Sequence, residues 1–283
     1  MPESQLVRER LFMAVKYIVY GWLSINGYLF FTDESLAQEV TFSRDLSFSE
    51  IITVYSASID TTSWILLVIL LELETFIIDD KILKRPMVKW TLIGFRALCY
   101  TVILYAVYGY IIKTAFQSDI VPLAIASACE LVNQNFTILI AVEDYIPLTA
   151  ETCQPLAGQE ISQLNGYKII AAHDTLVYAR NVAWIDNFNS ITWVCIVAIL
   201  ELDIWFQLKG MYKGRLMKVS NNLKIFFYSI LFICAVAWGY TGIFLDFMDA
   251  FLWLFAFIFI EMNLFQWQQE TEEEAEKLAA KTG

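Results

Sequence analysis

Residues 63–76 read SWILLVILLELETF, an apolar run that carries two carboxylates, Glu72 and Glu74, where a membrane span is expected to carry none. The spacing returns at 192–205 (TWVCIVAILELDIW) and at 252–265 (LWLFAFIFIEMNLF). Each copy has a Trp, seven residues, a Glu, one residue, then Glu74, Asp203 or Asn263, one residue, and an aromatic. Four residues before each Trp stands Asp60, Asn189 or Asp249. That offset puts the polar residue and the Trp on one helical face, with Glu72, Glu201 or Glu261 about two turns further along nearly the same face. The pattern predicts three copies of one transmembrane helix.

Composition agrees. The 283 residues are 58% hydrophobic and 16% aromatic, and the mean hydropathy of +0.55 exceeds that of soluble domains. The fold class expected is an all-α integral membrane protein with a small mixed α+β extracytoplasmic cap. Six segments approach the roughly 20 apolar residues a span needs: 11–31, 61–78, 90–112, 191–208, 223–245 and 250–267. The first follows Arg8 and Arg10, has no small-residue cleavage site, and reads as a retained helix.

Basic residues cluster on one side. Arg8 and Arg10 precede the first span, Lys81, Lys84, Arg85 and Lys89 lie between the second and third, and Lys209, Lys213, Arg215 and Lys218 between the fourth and fifth. The positive-inside rule then puts both termini in the cytoplasm of a cell-membrane protein, with outside loops at 32–50, 113–188 and 246–249. The expected organisation is spans one to three in 1–112, a cap in 113–188, spans four to six in 189–268, and an acidic tail in 269–283. Spans one, three and five carry a looser echo, Tyr20-Gly21-Trp22, Tyr108-Gly109-Tyr110 and Trp238-Gly239-Tyr240. Together the two patterns predict three helical hairpins related by a pseudo-threefold axis.

In the outside segments, Ser47-x-x-Glu50 has the form of a capping box from which the second span begins. His173-Asp174-Thr175 is read as the start of a helix that runs on into span four, with Asn187 and Asn189 as points where it could break. Residues 136–142 and 167–172 suit strands; the rival is a pair of re-entrant segments at 121–128 and 136–142. Cys129 and Cys153 lie on the oxidising side as a candidate disulfide, whereas Cys99, Cys195 and Cys234 fall inside spans.

The chemistry expected is in the spans. Glu72, Glu201 and Glu261 share one level roughly 10 to 13 Å from the cytoplasmic ends, and Glu74, Asp203 and Asn263 lie about 200° around the helix from them. Each buried charge costs at least about 2.5 kcal/mol. Lys16 and Arg96 are the ion-pair partners at comparable depth, and Lys224 lies nearer the inner end. Five carboxylates facing two such cations leave an acid excess that protons or a hard cation would neutralise. With His173 the only histidine and outside the spans, haem is not expected, and oxygen ligands favour calcium, magnesium, manganese or sodium. No nucleotide loop, nucleophile elbow or zinc spacing supports an enzyme. The function expected is cation handling, as a channel or transporter, through a ring of intramembrane carboxylates. The alternative is a non-catalytic subunit or scaffold of a larger membrane assembly. The partners expected are the lipid bilayer and other membrane subunits or further copies of the chain, not nucleic acid.

Overall fold

The structure is a computed structural model and describes residues 3–41, 51, 54–73, 78, 82, 85–142, 144–209 and 211–262. The chain is mostly helical (75%). The helices are α1 (Glu3–Thr41), α2 (Ser56–Glu72), α3 (Pro86–Ser118), α4 (His173–Leu208), α5 (Arg215–Thr241) and α6 (residues 244–262). Within α3, α4 and α5, the stretches Pro86–Ser118, His173–Phe206 and Arg215–Thr241 are long and apolar enough to cross a membrane, which points to a membrane location. In α2 the apolar stretch Ala57–Leu70 is shorter. The Ser47–Glu50 capping signal lies outside the described residues.

Local chemistry sets the helix ends. Pro86 opens α3, where a missing N–H costs nothing, and Arg85 before it is extended at ψ 129, as a residue preceding proline prefers. At about 1.5 Å per residue, the 33 residues of α3 outrun a bilayer core of about 30 Å. Helix α4 does start at His173, and its 36 residues pass through Asn187 and Asn189 without a break. Both helices therefore extend into the expected cap, leaving the sheet to the residues between Ser118 and His173.

The chain divides into two compact units. The larger, residues 27–230, holds a five-stranded sheet in the order β1-β4-β5-β2-β3. The strands are β1 (Ile120–Pro122), β2 (Thr137–Ala141), β3 (Asp144–Pro147), β4 (Ile161–Leu164) and β5 (Ile169–Ala172). Neighbours are antiparallel except β2 with β5. Period-two alternation divides their side chains between two faces. Ile138 and Ile170 join Ala128, Leu148, Cys153 and Leu156 in one core. Leu139, Ile169 and Ala171 join Leu176 and Ala179 of α4 and Phe116 of α3 in another. Cys129 and Cys153 are bridged, and the disulfide closes the first core. The re-entrant alternative for 121–128 and 136–142 is corrected here: β1 and β2 take up parts of both stretches and pair into the sheet.

Below the sheet, α3 packs against both α2 and α4. Glu34 of α1 is buried and accepts from the backbone N–H groups of Ala57 (2.8 Å) and Ser58 (3.1 Å) and from the Ser58 hydroxyl. The N-cap of α2, Tyr55, offers no side-chain cap of its own. A carboxylate from another helix therefore satisfies orphan donors and sits at the positive end of the α2 dipole.

The smaller unit comprises residues 1–26 and 231–283. Its described part is the first half of α1, the end of α5, and α6. Phe12 meets Phe259 edge-on at 5.0 Å, and Asn26 Nδ2 donates to Asp249 Oδ1 at 3.2 Å. The turn from α5 into α6 is a Schellman cap: the Gly242 N–H bonds Gly239 O and the Ile243 N–H bonds Trp238 O. Gly242 has φ +82, a left-handed conformation that carries no Cβ penalty in glycine.

Candidate functional site

The three predicted copies begin with an Asp or Asn and a Trp, and two copies use them in the same way. Trp64 Nε1 donates to Asp60 Oδ1 at 2.9 Å, and Trp253 is hydrogen-bonded to Asp249. Both are contacts from residue i to i+4 along one face, the geometry the spacing implies. In the third copy Asn189 Oδ1 is buried and meets no donor among the described residues. Trp64, Trp193 and Trp253 are all buried, and the Trp64 and Trp193 rings lie 6.4 Å apart. The glycine echo has no common role: Gly21 has open space where a Cβ would stand, whereas a Cβ on Gly239 would come within 2.8 Å of the Phe247 ring.

The deeper acids separate. On α4, Glu201 accepts a hydrogen bond of 2.5 Å from the Tyr100 hydroxyl of α3. Asp203 points to the other side. It is 3% exposed and accepts from Ser220 (2.7 Å) and Tyr212 (3.1 Å), and its Oδ2 lies 3.3 Å from Lys224 Nζ. Burial raises the Tyr212 phenol, outside the apolar stretches, above its ordinary value. Asp203 thus ties the C-terminal end of α4 to Tyr212 in the connecting loop and to Ser220 and Lys224 at the start of α5.

Glu261 is half-buried on α6 and engaged in a contact of its own. Lys16 is fully buried in the smaller unit, with its ammonium 5.2 Å from the Tyr17 ring. Arg96 stands one turn before Tyr100 on α3 and is likewise engaged. Glu72 is the last residue of α2; its side chain, Glu74 and Asn263 lie outside the described residues. Among the described residues no three His, Cys, Asp or Glu side chains converge on one point. His173 is no exception: its Nδ1 pairs at 3.0 Å with Ser162, which is wholly buried in β4.

A second polar contact lies on the α3–α4 seam. Thr114 Oγ1 donates to Ala183 O (3.0 Å) and receives Asn187 Nδ2 (2.8 Å). Fourteen residues separate Tyr100 from Thr114, and fourteen separate Asn187 from Glu201. The two polar clamps are therefore in register, about 21 Å apart along antiparallel helices. Ile103 and Ala106 of α3 and Trp193, Ile196 and Leu200 of α4, which fall between the two clamps along the helices, are all buried.

Sequence reasoning overlooked Glu34, Tyr100 and the Tyr212–Ser220 pair. Hydroxyl and loop positions carry no periodic signal, although Tyr100 falls one turn from Arg96 on the same helix. Set against known proteins, the chain matches no family model, no curated protein and no solved structure.

Proposed function

We propose that the chain is a six-span protein of the cell membrane, built as three hairpins with both termini in the cytoplasm. In this reading it serves as a non-catalytic scaffold within a larger membrane assembly. Exposed aromatics support the placement. Trp184 and Trp205 on α4 are both about half exposed and 21 residues apart, about 31 Å, the thickness of a hydrocarbon core. Trp90 and Tyr108 on α3 are exposed as well and about 27 Å apart. Such belts sit at the two interfaces. Lys209, Arg85 and Lys89 beside the inner members support the orientation, with Lys209 5.8 Å from the Trp205 ring.

The single observation that carries the scaffold reading is the state of Asp203. A carboxylate held by a cation and two hydroxyls has a counter-charge in place, and its contacts fix how α4 and α5 meet. The disulfide-closed outer domain, resting on the first turns of α4, supplies the surface a partner would engage.

Cation handling is the second reading, and Glu201 favours it. Among the described residues Glu201 bonds a neutral phenol, and a carboxylate oxygen is the kind of ligand that hard cations such as sodium, calcium, magnesium or manganese take. Flux in proteoliposomes across a panel of cations separates the two, with Glu72, Glu201 and Glu261 each changed to Gln. The scaffold reading expects no cation-dependent flux in the wild type and altered assembly size in the variants. Flux in the wild type that the Gln changes abolish would replace it with the second reading.

A further inference from the structure

The dipeptide Asn-Gly occurs twice, as Asn26-Gly27 and Asn165-Gly166. It is the least hindered setting for one spontaneous reaction, because glycine has no Cβ to keep its backbone nitrogen away from the asparagine side chain before it. The two copies share a type of partner: Asn26 Nδ2 donates to Asp249 Oδ1 at 3.2 Å, and Asn165 Nδ2 donates to Asp119 Oδ2 at 2.9 Å. A neighbouring carboxylate therefore does not set them apart; burial and backbone do. Asn26 is 2% exposed and lies inside α1, where the Gly27 N–H serves the helical ladder. Asn165 and Gly166 are exposed in the turn between β4 and β5, which the Tyr167 N–H closes on Leu164 O at 3.0 Å. Gly166 has φ +78, a Cβ there would meet nothing within 4 Å, and its N–H makes no hydrogen bond among the described residues.

We infer that Asn165 is a site of spontaneous deamidation, and that the conversion turns a fastening between the sheet and α3 into a repulsion. The Gly166 nitrogen attacks Cγ of Asn165. The N–Cγ bond forms, the Cγ–Nδ2 bond breaks, and ammonia leaves with the proton given up by the Gly166 amide. Water then opens the cyclic imide at either carbonyl, leaving aspartate or isoaspartate. The net exchange takes up water, releases ammonia and needs no oxidant or cofactor. Its effect falls on Asp119, the C-cap of α3, whose carbonyl also accepts the Asn165 N–H at 2.9 Å. Beside it the Phe116 ring of α3 meets Tyr167 edge-on at 4.4 Å. The turn is thus held to the end of α3 by two hydrogen bonds and a ring contact. Deamidation removes the donor from one of those bonds and sets a carboxylate against a carboxylate, where like charges destabilise. The isoaspartate product also lengthens the main chain by one carbon at the residue whose N–H makes the other bond.

The test incubates the full chain, folded in detergent micelles, in mildly alkaline buffer at physiological temperature, and maps its peptides by mass spectrometry with detection of isoaspartate. The Asn165 peptide should lose its amide first. The Asn26 peptide should keep its own, as should Asn133 and Asn135, which are exposed but followed by Gln134 and Phe136. Incubation in urea should bring Asn26 level with Asn165, because the protection of Asn26 is structural. An intact Asn165 in the folded chain, under conditions in which the unfolded chain converts, would overturn the inference, and so would equal conversion of Asn26 and Asn165 in the folded chain. The consequence is read separately, by hydrogen exchange at the Asn165 backbone amide. Asn165→Asp should quicken that exchange by roughly fivefold, the worth of one hydrogen bond. Adding Asp119→Asn should restore it, since donor and acceptor then trade places. Unchanged exchange in Asn165→Asp would overturn the claim that the conversion loosens the turn.

Discussion

Glu201 and Asp203 stand two residues apart near the C-terminal end of α4 and meet different neighbours. Glu201 faces α3 and a neutral hydroxyl; Asp203 faces α5 and a cation with two hydroxyls. The helix supplies the cause, since two residues turn the side chain by about 200°. The difference shows that a repeated acidic pair need not be a repeated site. One member meets a cation and two hydroxyls, and the other meets, among the described residues, a neutral hydroxyl.

The largest effect should follow from removing Asp203. Asp203→Ala takes one partner from Lys224, whose side chain is 13% exposed, and the acceptor from two hydroxyls, and losses of about 3 to 5 kcal/mol are typical of a broken buried pair. Thermal unfolding in detergent would measure it, and a drop below about 1 kcal/mol would mean that the pair is not a fastener. Combining Asp203→Leu with Lys224→Met should recover most of that loss, because an apolar pair of similar volume avoids the desolvation both charges suffer. If the double variant is as unstable as the single one, the hydroxyls of Tyr212 and Ser220 carry the contact instead.

A smaller loss is expected for Tyr100→Phe, about 1 to 3 kcal/mol, the range for a buried acceptor deprived of its donor. Smallest should be Glu201→Gln, at about 1 kcal/mol or less, because the amide oxygen still accepts from Tyr100 and only the charge assistance is lost. Equal losses for Glu201→Gln and Asp203→Ala would erase the distinction between the two acids. A change in flux from Glu201→Gln without a change in stability would sharpen it into a difference of function.

Much of this was legible in the chain. The i to i+4 relation of Asp60 with Trp64 and of Asp249 with Trp253 followed from spacing alone, as did the divergence of Glu201 and Asp203. Cys129 and Cys153 are bridged, as expected. Strands β2 and β5 were visible as apolar runs with turn residues at their ends. The other three strands were not: β1 is only three residues long, and β3 (DYIP) and β4 (ISQL) mix polar and apolar residues, so their pairing depends on distant partners. The capping of α2 by Glu34 was hidden for the same reason, since 22 positions lie between Glu34 and Ala57 and no local rule connects them. Lys224 was noted but set aside as too near the inner end, and it became the partner of Asp203 because α5 begins close to where α4 stops.

The matched spacing of the Tyr100–Glu201 and Thr114–Asn187 contacts has a mechanical consequence. Sliding α4 along α3 by one turn would break both hydrogen bonds together and move the buried Trp193 and Ile196 out of their seats. The two helices therefore behave as a single strut about 21 Å long between its fixings, stiff in shear. The disulfide-closed domain is inserted between the upper ends of those same two helices. A push on it would be carried to the C-terminal end of α4 as displacement, with little lost to slippage along the way.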